Sequence, residues 1–416
     1  IEYGGMNDAL YQLYKVTNYS NKEVFKTAAH KFDETSLFES VLAGTSNILN
    51  NKHANTTIPK FLGALCRYET DNTQTKYLQY AEAFWQMVID RHTYITGGNS
   101  EDEHFGADNV LDKERTVCNN ETCNTYNMLK LSRHLFCWDA APEVADYYEV
   151  ALFNHILAQQ DTTSGMVCYF LPMLTGAYKV YSTPEQSFWC CVGSGFESHS
   201  KYAESIYFHN DNGVFVNLFI PSRLVWKEKG LTLRQDTRFP ESETTRFTIE
   251  EAPLQAMGLS LRYPAWSGRP EVKINGKKQA VHGGPSSYIT LNRRWKAGDV
   301  VEVTYPMSLH VSVTPDNPDK GAIMYGPIVL AANLGTEGMT ASAPFSDPTV
   351  RNDYYTYDYH VPAGTPTSLP FGIDEVARNM KRTSGGLTFV SSNGLTFAPL
   401  YDLHRCRYGV YWDFKK

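Results

Sequence analysis

Near Tyr202 the hydrophobic pattern of this chain changes period, and that change limits what the chain can fold into. Upstream, apolar residues recur every three to four positions. Ala9, Leu10, Leu13 and Tyr14 do so in residues 8–16, Val24, Phe25, Ala28 and Phe32 in 22–32, Ile58, Phe61, Leu62 and Leu65 in 58–68, and Tyr77, Leu78, Ala81, Phe84, Trp85 and Val88 in 76–90. Met128, Leu131 and Leu135 continue the pattern over 124–136. Each stripe is the buried face of an amphipathic helix. A weak internal repeat links them: Thr17, Asn18, Val24, Phe25 and Ala28 shift onto Thr70, Asp71, Tyr77, Leu78 and Ala81, and more loosely onto Ala140, Tyr147, Tyr148 and Ala151. Repeated helical hairpins predict an α/α toroid whose long loops, at 50–57, 96–123 and 165–195, build a site at one end.

Downstream, short β-prone runs alternate with turn signals such as Asp211-Asn212-Gly213 and Asn275-Gly276. Strands are expected at 205–208, 214–220, 259–262, 272–274, 287–291, 300–305, 323–332 and 408–412, with a long loop over 344–370. Turns at this spacing predict a β-sandwich. The expected fold is therefore multidomain α and β: the C-terminal portion of an (α/α)6-type helical toroid over 1–201, a β-sandwich over 202–335, and a second β-rich segment over 336–416.

A net charge of -7 leaves no basic face for nucleic acid or anionic lipid. No apolar run reaches membrane-spanning length. Eight cysteines in 416 residues are too sparse for a disulfide scaffold. The 27 Tyr and 7 Trp suit sugar binding, although packing explains them equally. The chain opens at Ile1-Glu2-Tyr3 with neither an initiator Met nor a signal peptide, so an upstream part is expected to be missing and the compartment is not readable. Asn18-Tyr19-Ser20, Asn55-Thr56-Thr57 and Asn120-Glu121-Thr122 match the glycosylation triplet, a pattern common by chance.

The unusual chemistry falls in the loops. Cys190 and Cys191 are adjacent and so poorly placed to bridge each other, and Glu121-Thr122-Cys123 lies upstream. Isolated cysteines are most often small buried apolar groups. Here one carboxylate and three thiolates together amount to a complete tetrahedral zinc site. Glu121 and Cys123 converge only in a turn, which is expected just before the helix at 124–136, and Gly193 and Gly195 place the cysteine pair on irregular backbone.

These residues carry a resemblance to glycoside hydrolase family 127 and its relative family 146, the β-L-arabinofuranosidases. Its markers run almost end to end: Gly4-Gly5-Met6-Asn7, His53-Ala54-Asn55-Thr56, Tyr94-Ile95-Thr96-Gly97-Gly98, Glu103-His104-Phe105-Gly106, Glu121-Thr122-Cys123, Tyr169-Phe170-Leu171-Pro172 and Trp189-Cys190-Cys191. The resemblance implies a zinc ion on Glu121, Cys123, Cys190 and Cys191, with Cys190 as nucleophile of a retaining mechanism and Glu103 as acid/base. Glu101 and Asp102 compete for the acid role on charge alone. His53 and Tyr169 resemble residues lining the sugar subsite, whereas Trp189 reads as a core aromatic and Cys118 as a bystander. The implied partner is an arabinose-containing oligosaccharide or plant glycan, cut by a bacterial enzyme, and the relatives start well before Gly4, so that part of the toroid with a sugar-contacting His is expected upstream. The alternative is a non-catalytic carbohydrate-binding protein with a closed structural zinc site. A metal-independent toroid hydrolase or lyase would leave the cysteines without purpose.

Overall fold

The computed structural model describes residues 3–347, 349 and 361–416. The first half is helical, as the 3.6-residue stripes require: α1 (Met6–Val16), α2 (Glu23–Ala29), α3 (Thr35–Leu42), α4 (Ala54–Thr70), α5 (Thr75–His92), α6 (Thr122–Asp139), α7 (Pro142–Ala151) and α8 (Cys190–Ser200). Helices α1, α4, α6 and α8 pack one against the next as an inner row. Helix α5 covers α3, α4 and α6, and α7 covers α6, as a second layer. This arc of helical hairpins is the partial toroid expected from the repeat. The stripes predicted over 58–68, 76–90 and 124–136 form its core, with Phe61 and Phe84 stacked at 4.0 Å between α4 and α5. Those of α1 and α2 do not: Leu13 and Val24 are exposed, and the buried positions there are Asn7, Asp8, Tyr11 and Ala29, because α1 turns its polar Asn7 side toward α4. At Gly63 a Cβ would lie 2.1 Å from the Asn7 side chain, so glycine is what lets α1 approach α4. Asn7 then donates to the Lys60 carbonyl at 3.1 Å, which gives the Gly4-Gly5-Met6-Asn7 motif a packing role.

Strands β1 (Tyr207–Asn210), β2 (Gly213–Val216), β3 (Ser222–Trp226), β4 (Leu231–Thr237), β5 (Thr244–Glu251), β6 (Met257–Tyr263), β7 (Glu271–Ile274), β8 (Lys277–Gln279), β9 (Ser287–Arg293) and β10 (Val300–Thr304) follow. They form a sheet of order β1-β2-β6-β9 and another of order β3-β4-β5-β10-β7-β8. Val214, Val216, Leu259 and Leu261 of the first share one core with Leu233, Phe247, Ile249 and Val301 of the second, so the two sheets face each other as a sandwich.

A third sheet holds β11 (Leu309–Thr314), β12 (Asn317–Tyr325) and β13 (Ile328–Asn333) with strands from the C-terminal segment. The single strand expected over 323–332 is instead the hairpin of β12 and β13, turned at Gly326 (φ 55°) and Pro327, with Ile323 opposite Leu330. The apolar run hid the turn because both strands are buried on both faces. Likewise 408–412 divides at Val410: Tyr408–Gly409 pairs with β13 and Tyr411–Phe414 with β12. Of the loop expected over 344–370, residues 348 and 350–360 lie outside the described residues, and Ser368–Leu369 forms a short strand parallel to Tyr411–Phe414. Among the described residues no helix is long and apolar enough to cross a membrane.

Helices and sheets are joined by buried polar contacts. Helix α7 continues into a π-helical turn, Leu152–Ile156, a form often found at functional sites. From it Asn154 donates to the Pro327 carbonyl and accepts from the Val329 N–H, both at 2.7 Å. Arg262 on β6, fully buried, reaches Asp146 and Glu149 on α7.

Candidate active site

Three helices of the inner row aim their N-termini at one place. The residue preceding each first turn is His53 for α4, Glu121 for α6 and Trp189 for α8, and none of the three side chains caps its own helix. Unpaired N–H groups and the aligned peptide dipoles make such a meeting point favourable for negative charge.

The four donors read from the sequence come together there. Their ligand atoms, one each from Glu121, Cys123, Cys190 and Cys191, all lie within 4.8 Å of one another. Cys123 Sγ is 3.3 Å from Cys191 Sγ, and Cys190 Sγ is 3.9 Å from Glu121 Oε1 and 4.0 Å from Cys191 Sγ. Glu121 precedes α6 as expected, with Cys123 already in its first turn. The cysteine pair is not on irregular backbone: it opens α8, with Gly193 and Gly195 inside the helix. At Gly195 a Cβ would stand 3.2 Å from Val167, so packing in close quarters explains the glycine better than loop flexibility does. Cys191 is fully buried while Cys190 is exposed.

The three thiols share their protons unequally. Hydrogen bonds from Cys123, then Cys191, push the Cys190 thiol far down, with Tyr169 adding to the effect. Cys123 is raised chiefly by its bond to Cys190, and Cys191 chiefly by burial. Burial also lifts the Glu121 carboxyl well above the usual range. Glu121 Oε2 is buried without a hydrogen-bond partner among the described residues. An orphaned carboxylate oxygen beside three converging sulfurs is a poor core and a good ligand set, so these residues fit a divalent metal ion.

The second carboxylate is Glu103. Residues Glu101 to His104 form a tight turn closed by two reciprocal backbone hydrogen bonds of 2.9 Å. Its central residues Asp102 (φ 43°) and Glu103 (φ 66°) both lie in the left-handed region, the pattern of a type I′ turn built without glycine. The α4 N-terminus grips the turn, Ala54 N–H donating to the Glu103 carbonyl at 2.8 Å. Glu103 Oε2 is 3.5 Å from His53 Nε2, and Tyr169 Oη donates to Oε1. His53 first, then Tyr169, hold the Glu103 carboxyl below its usual value, against burial and the charge of Cys190. Of its two rivals, Glu101 accepts from Thr116 Oγ1 at 3.1 Å and Asp102 is exposed, whereas Glu103 is the carboxylate that meets His53 and Tyr169.

Tyr169 is fixed by its own backbone, whose carbonyl accepts from Thr122 N–H at 3.0 Å in the first turn of α6. Its hydroxyl is 3.6 Å from Cys190 Sγ and so touches both Glu103 and Cys190. Trp189 packs its ring on Tyr169 at 6.0 Å, in keeping with a core aromatic. Cys118 packs beside the cluster without joining the four donors. Asn99 and Ser100 are turned inward, where both accept from Asn124, so they serve the turn. His92 lies buried against Phe105, and His104 against the His53 ring at 5.3 Å. Sequence reasoning missed Ser194, whose Oγ is 3.2 Å from Cys123 Sγ. The signal was its i+3 spacing from Cys191, invisible once the pair was read as loop.

Several solved structures share this fold. One described as a glycoside hydrolase matches with a TM-score of 0.73 at 16% identity, over 99% of this chain and 74% of its own. A GH127 β-L-arabinofuranosidase from Geobacillus stearothermophilus T6 matches at 0.72 and 18%, over 98% and 72%. A further GH127 β-arabinofuranosidase matches at 0.72 and 19%, over 99% and 68%. Among proteins with curated descriptions none matches the sequence significantly. The family model described as the β-L-arabinofuranosidase GH127 catalytic domain matches residues 1–204, and that of the GH127 middle domain matches 213–307. The helical arc with its sulfur cluster and the sandwich behind it are thus matched by two consecutive models of one family, and the chain belongs to GH127, a family of glycoside hydrolases.

Proposed function

We propose that the protein is a retaining β-L-arabinofuranosidase in which Cys190 is the nucleophile, Glu103 the acid/base, and Glu121, Cys123, Cys190 and Cys191 the ligands of a zinc ion. The observation that carries this reading is the Tyr169 hydroxyl, which contacts Glu103 on one side and Cys190 on the other. A hydrogen bond spans about 3 Å, so carboxylate and sulfur stand at most about 6.5 Å apart. That suits the roughly 5–5.5 Å of a retaining pair better than the roughly 6.5–9.5 Å of an inverting one.

Zinc, when bound, supplies a positive charge that keeps its thiol ligands deprotonated at neutral pH. The chain's own groups already favour the anion at Cys190: it sits in the first turn of α8 and is hydrogen-bonded by the Cys123 and Cys191 thiols. In the first step Cys190 Sγ attacks the anomeric carbon while the bond to the leaving oxygen breaks and Glu103 gives that oxygen its proton. In the second, Glu103 takes a proton from water as the water oxygen attacks the same carbon and the thiolate departs. At rest His53 and Tyr169 keep Glu103 ionised. A sugar seated against His53 weakens that hold and leaves burial and the Cys190 charge, both of which favour the protonated acid the first step needs. His53 and Tyr169 line the sugar subsite in this reading, and the substrate is an arabinose-containing glycan.

The test is hydrolysis of a nitrophenyl β-L-arabinofuranoside. Cys190→Ala is expected to lose at least about a thousandfold in kcat, and Glu103→Gln roughly a hundred- to ten-thousandfold. Wild-type turnover by Cys190→Ala would sink the mechanism.

A further inference from the structure

The helix stripes that present the cysteines to each other continue past them with the same spacing. On α6, Cys123 is followed at i+3, i+7 and i+10 by Tyr126, Lys130 and Arg133. On α8, Cys191 is followed at the same intervals by Ser194, Ser198 and, at the helix end, Lys201. Residues so spaced share one helix face, and α6 and α8 pack on each other. Between them lies a cavity of about 130 Å³ with Leu129, Leu152 and Ile156 in its wall. Its polar lining includes Lys130, Arg133, His134, Ser198, Lys201 and Glu204, so lysine and arginine outnumber carboxylates three to one.

Two of those cations have close partners. Lys130 pairs with Asp8 at 2.7 Å, and Lys201 with Glu197 at 3.2 Å while donating to Tyr126 Oη at 3.0 Å. Arg133 holds its partner more loosely: its ion pair with Glu204 spans 3.7 Å from Nε, beyond hydrogen-bond range. Ser198, 6% exposed, lines the cavity with a hydroxyl that has no hydrogen-bond partner among the described residues. A buried hydroxyl and an underused guanidinium on one small basic cavity are what a carboxylate would complete.

We propose that this cavity is a subsite for the carboxylate of an acidic sugar, so that the glycan acted on carries a uronic acid near the bond that is cut. Seven residues of helix separate Lys130 from Cys123 and Ser198 from Cys191, about 10 Å along the helix axes and the reach of roughly two sugar rings. The inference rests on the glycosidase reading for its substrate, but its test does not need turnover. Calorimetric titration of the wild type with digalacturonate and with its carboxyl-reduced neutral counterpart should show at least about a tenfold preference for the acid. Arg133→Gln, a change at a half-exposed side chain, should abolish the preference, and Ser198→Ala should weaken acid binding severalfold. Equal binding of the two disaccharides, or a preference that survives in Arg133→Gln, overturns the proposal. Sulfate binding as tightly as digalacturonate would assign the cavity to free anions and overturn it as well. Failure here with normal hydrolysis of a neutral arabinofuranoside would sink the subsite alone, and loss of hydrolysis with binding intact would sink only the mechanism.

Discussion

Two of the molecule's buried polar clusters are built on opposite principles. At the junction of α7 with the sandwich, Arg262 bonds both Asp146 and Glu149 and donates from Nε to the Asn217 carbonyl at 2.7 Å. Trp266 completes Glu149 and Ser286 completes Asp146, each at 2.7 Å. At the meeting of the helix N-termini, Glu121 keeps an oxygen without a partner and three thiols crowd together with no side-chain cation among the donors. A buried charge satisfied by the chain itself is architecture. One that the chain leaves unsatisfied is a place for something else.

The sharpest way to break that contrast is at the cluster. Cys191→Ala should drop metal content from one ion per chain to none, an affinity loss well above the roughly 10–100-fold that outer partners alone cost. Chelation should lower the wild-type melting temperature and leave that of Cys191→Ala unmoved, because only an ion bound to the native state stabilises it. An unchanged stoichiometry by atomic emission would mean that the four donors are not one site.

The same operation at the other cluster has a different currency. Arg262→Met removes one partner and strands two buried carboxylates, which should cost about 3–5 kcal/mol in urea unfolding with metal content unchanged. A loss below about 1 kcal/mol would mean that water reaches the network and that it does not lock the sandwich to the helices.

How much of this was legible in the sequence follows the same division. The stripes of α4 and α5 were legible because burial of one face repeats every 3.6 residues, and those helices stand where Ile58–Leu65 and Tyr77–Val88 placed them, whereas the stripes read in α1 and α2 are exposed or half-buried. Glu121, Cys123, Cys190 and Cys191 were legible because thiols and carboxylates at such places have few other uses. The N-terminus of α8 was not, since glycines at 193 and 195 argue against helix locally and only packing on α6 and Val167 overrides them. The Arg262 network was equally silent, because Arg262 lies more than a hundred residues from both carboxylates and no local pattern announces an ion pair.

Protonation offers a finer comparison. His155, fully buried with Nδ1 2.6 Å from Thr125 Oγ1, is pushed down by burial to about 3 from an ordinary value of 6.5. Its folded value is the lower one, so the unfolded chain binds more protons between those limits. The neutral ring's contribution is complete above pH 6.5 and is lost as pH falls toward 3. The slope contributed is at most about 1.4 kcal/mol per pH unit. Comparing urea stability at pH 7 and pH 5, His155→Gln should lose less on acidification than the wild type. An identical loss would place the acid sensitivity in other groups.

The smallest effect concerns how the site holds its acid. Asp102 and Glu103 both adopt positive φ, which side-chain-bearing residues do at a cost, whereas asparagine tolerates that region well. Strain of this kind gathers where a side chain must be aimed, and here the turn delivers Glu103 to Tyr169 and His53. Asp102 is exposed and not part of the proposed chemistry, so Asp102→Asn should relax the turn without moving Glu103. The expected gain is a few tenths of a kcal/mol, read as a small rise in melting temperature with kcat unchanged. A fall in kcat with the rise in stability would show that the strained turn itself tunes the acid, and the boundary between architecture and chemistry would then run through residue 102 rather than beside it.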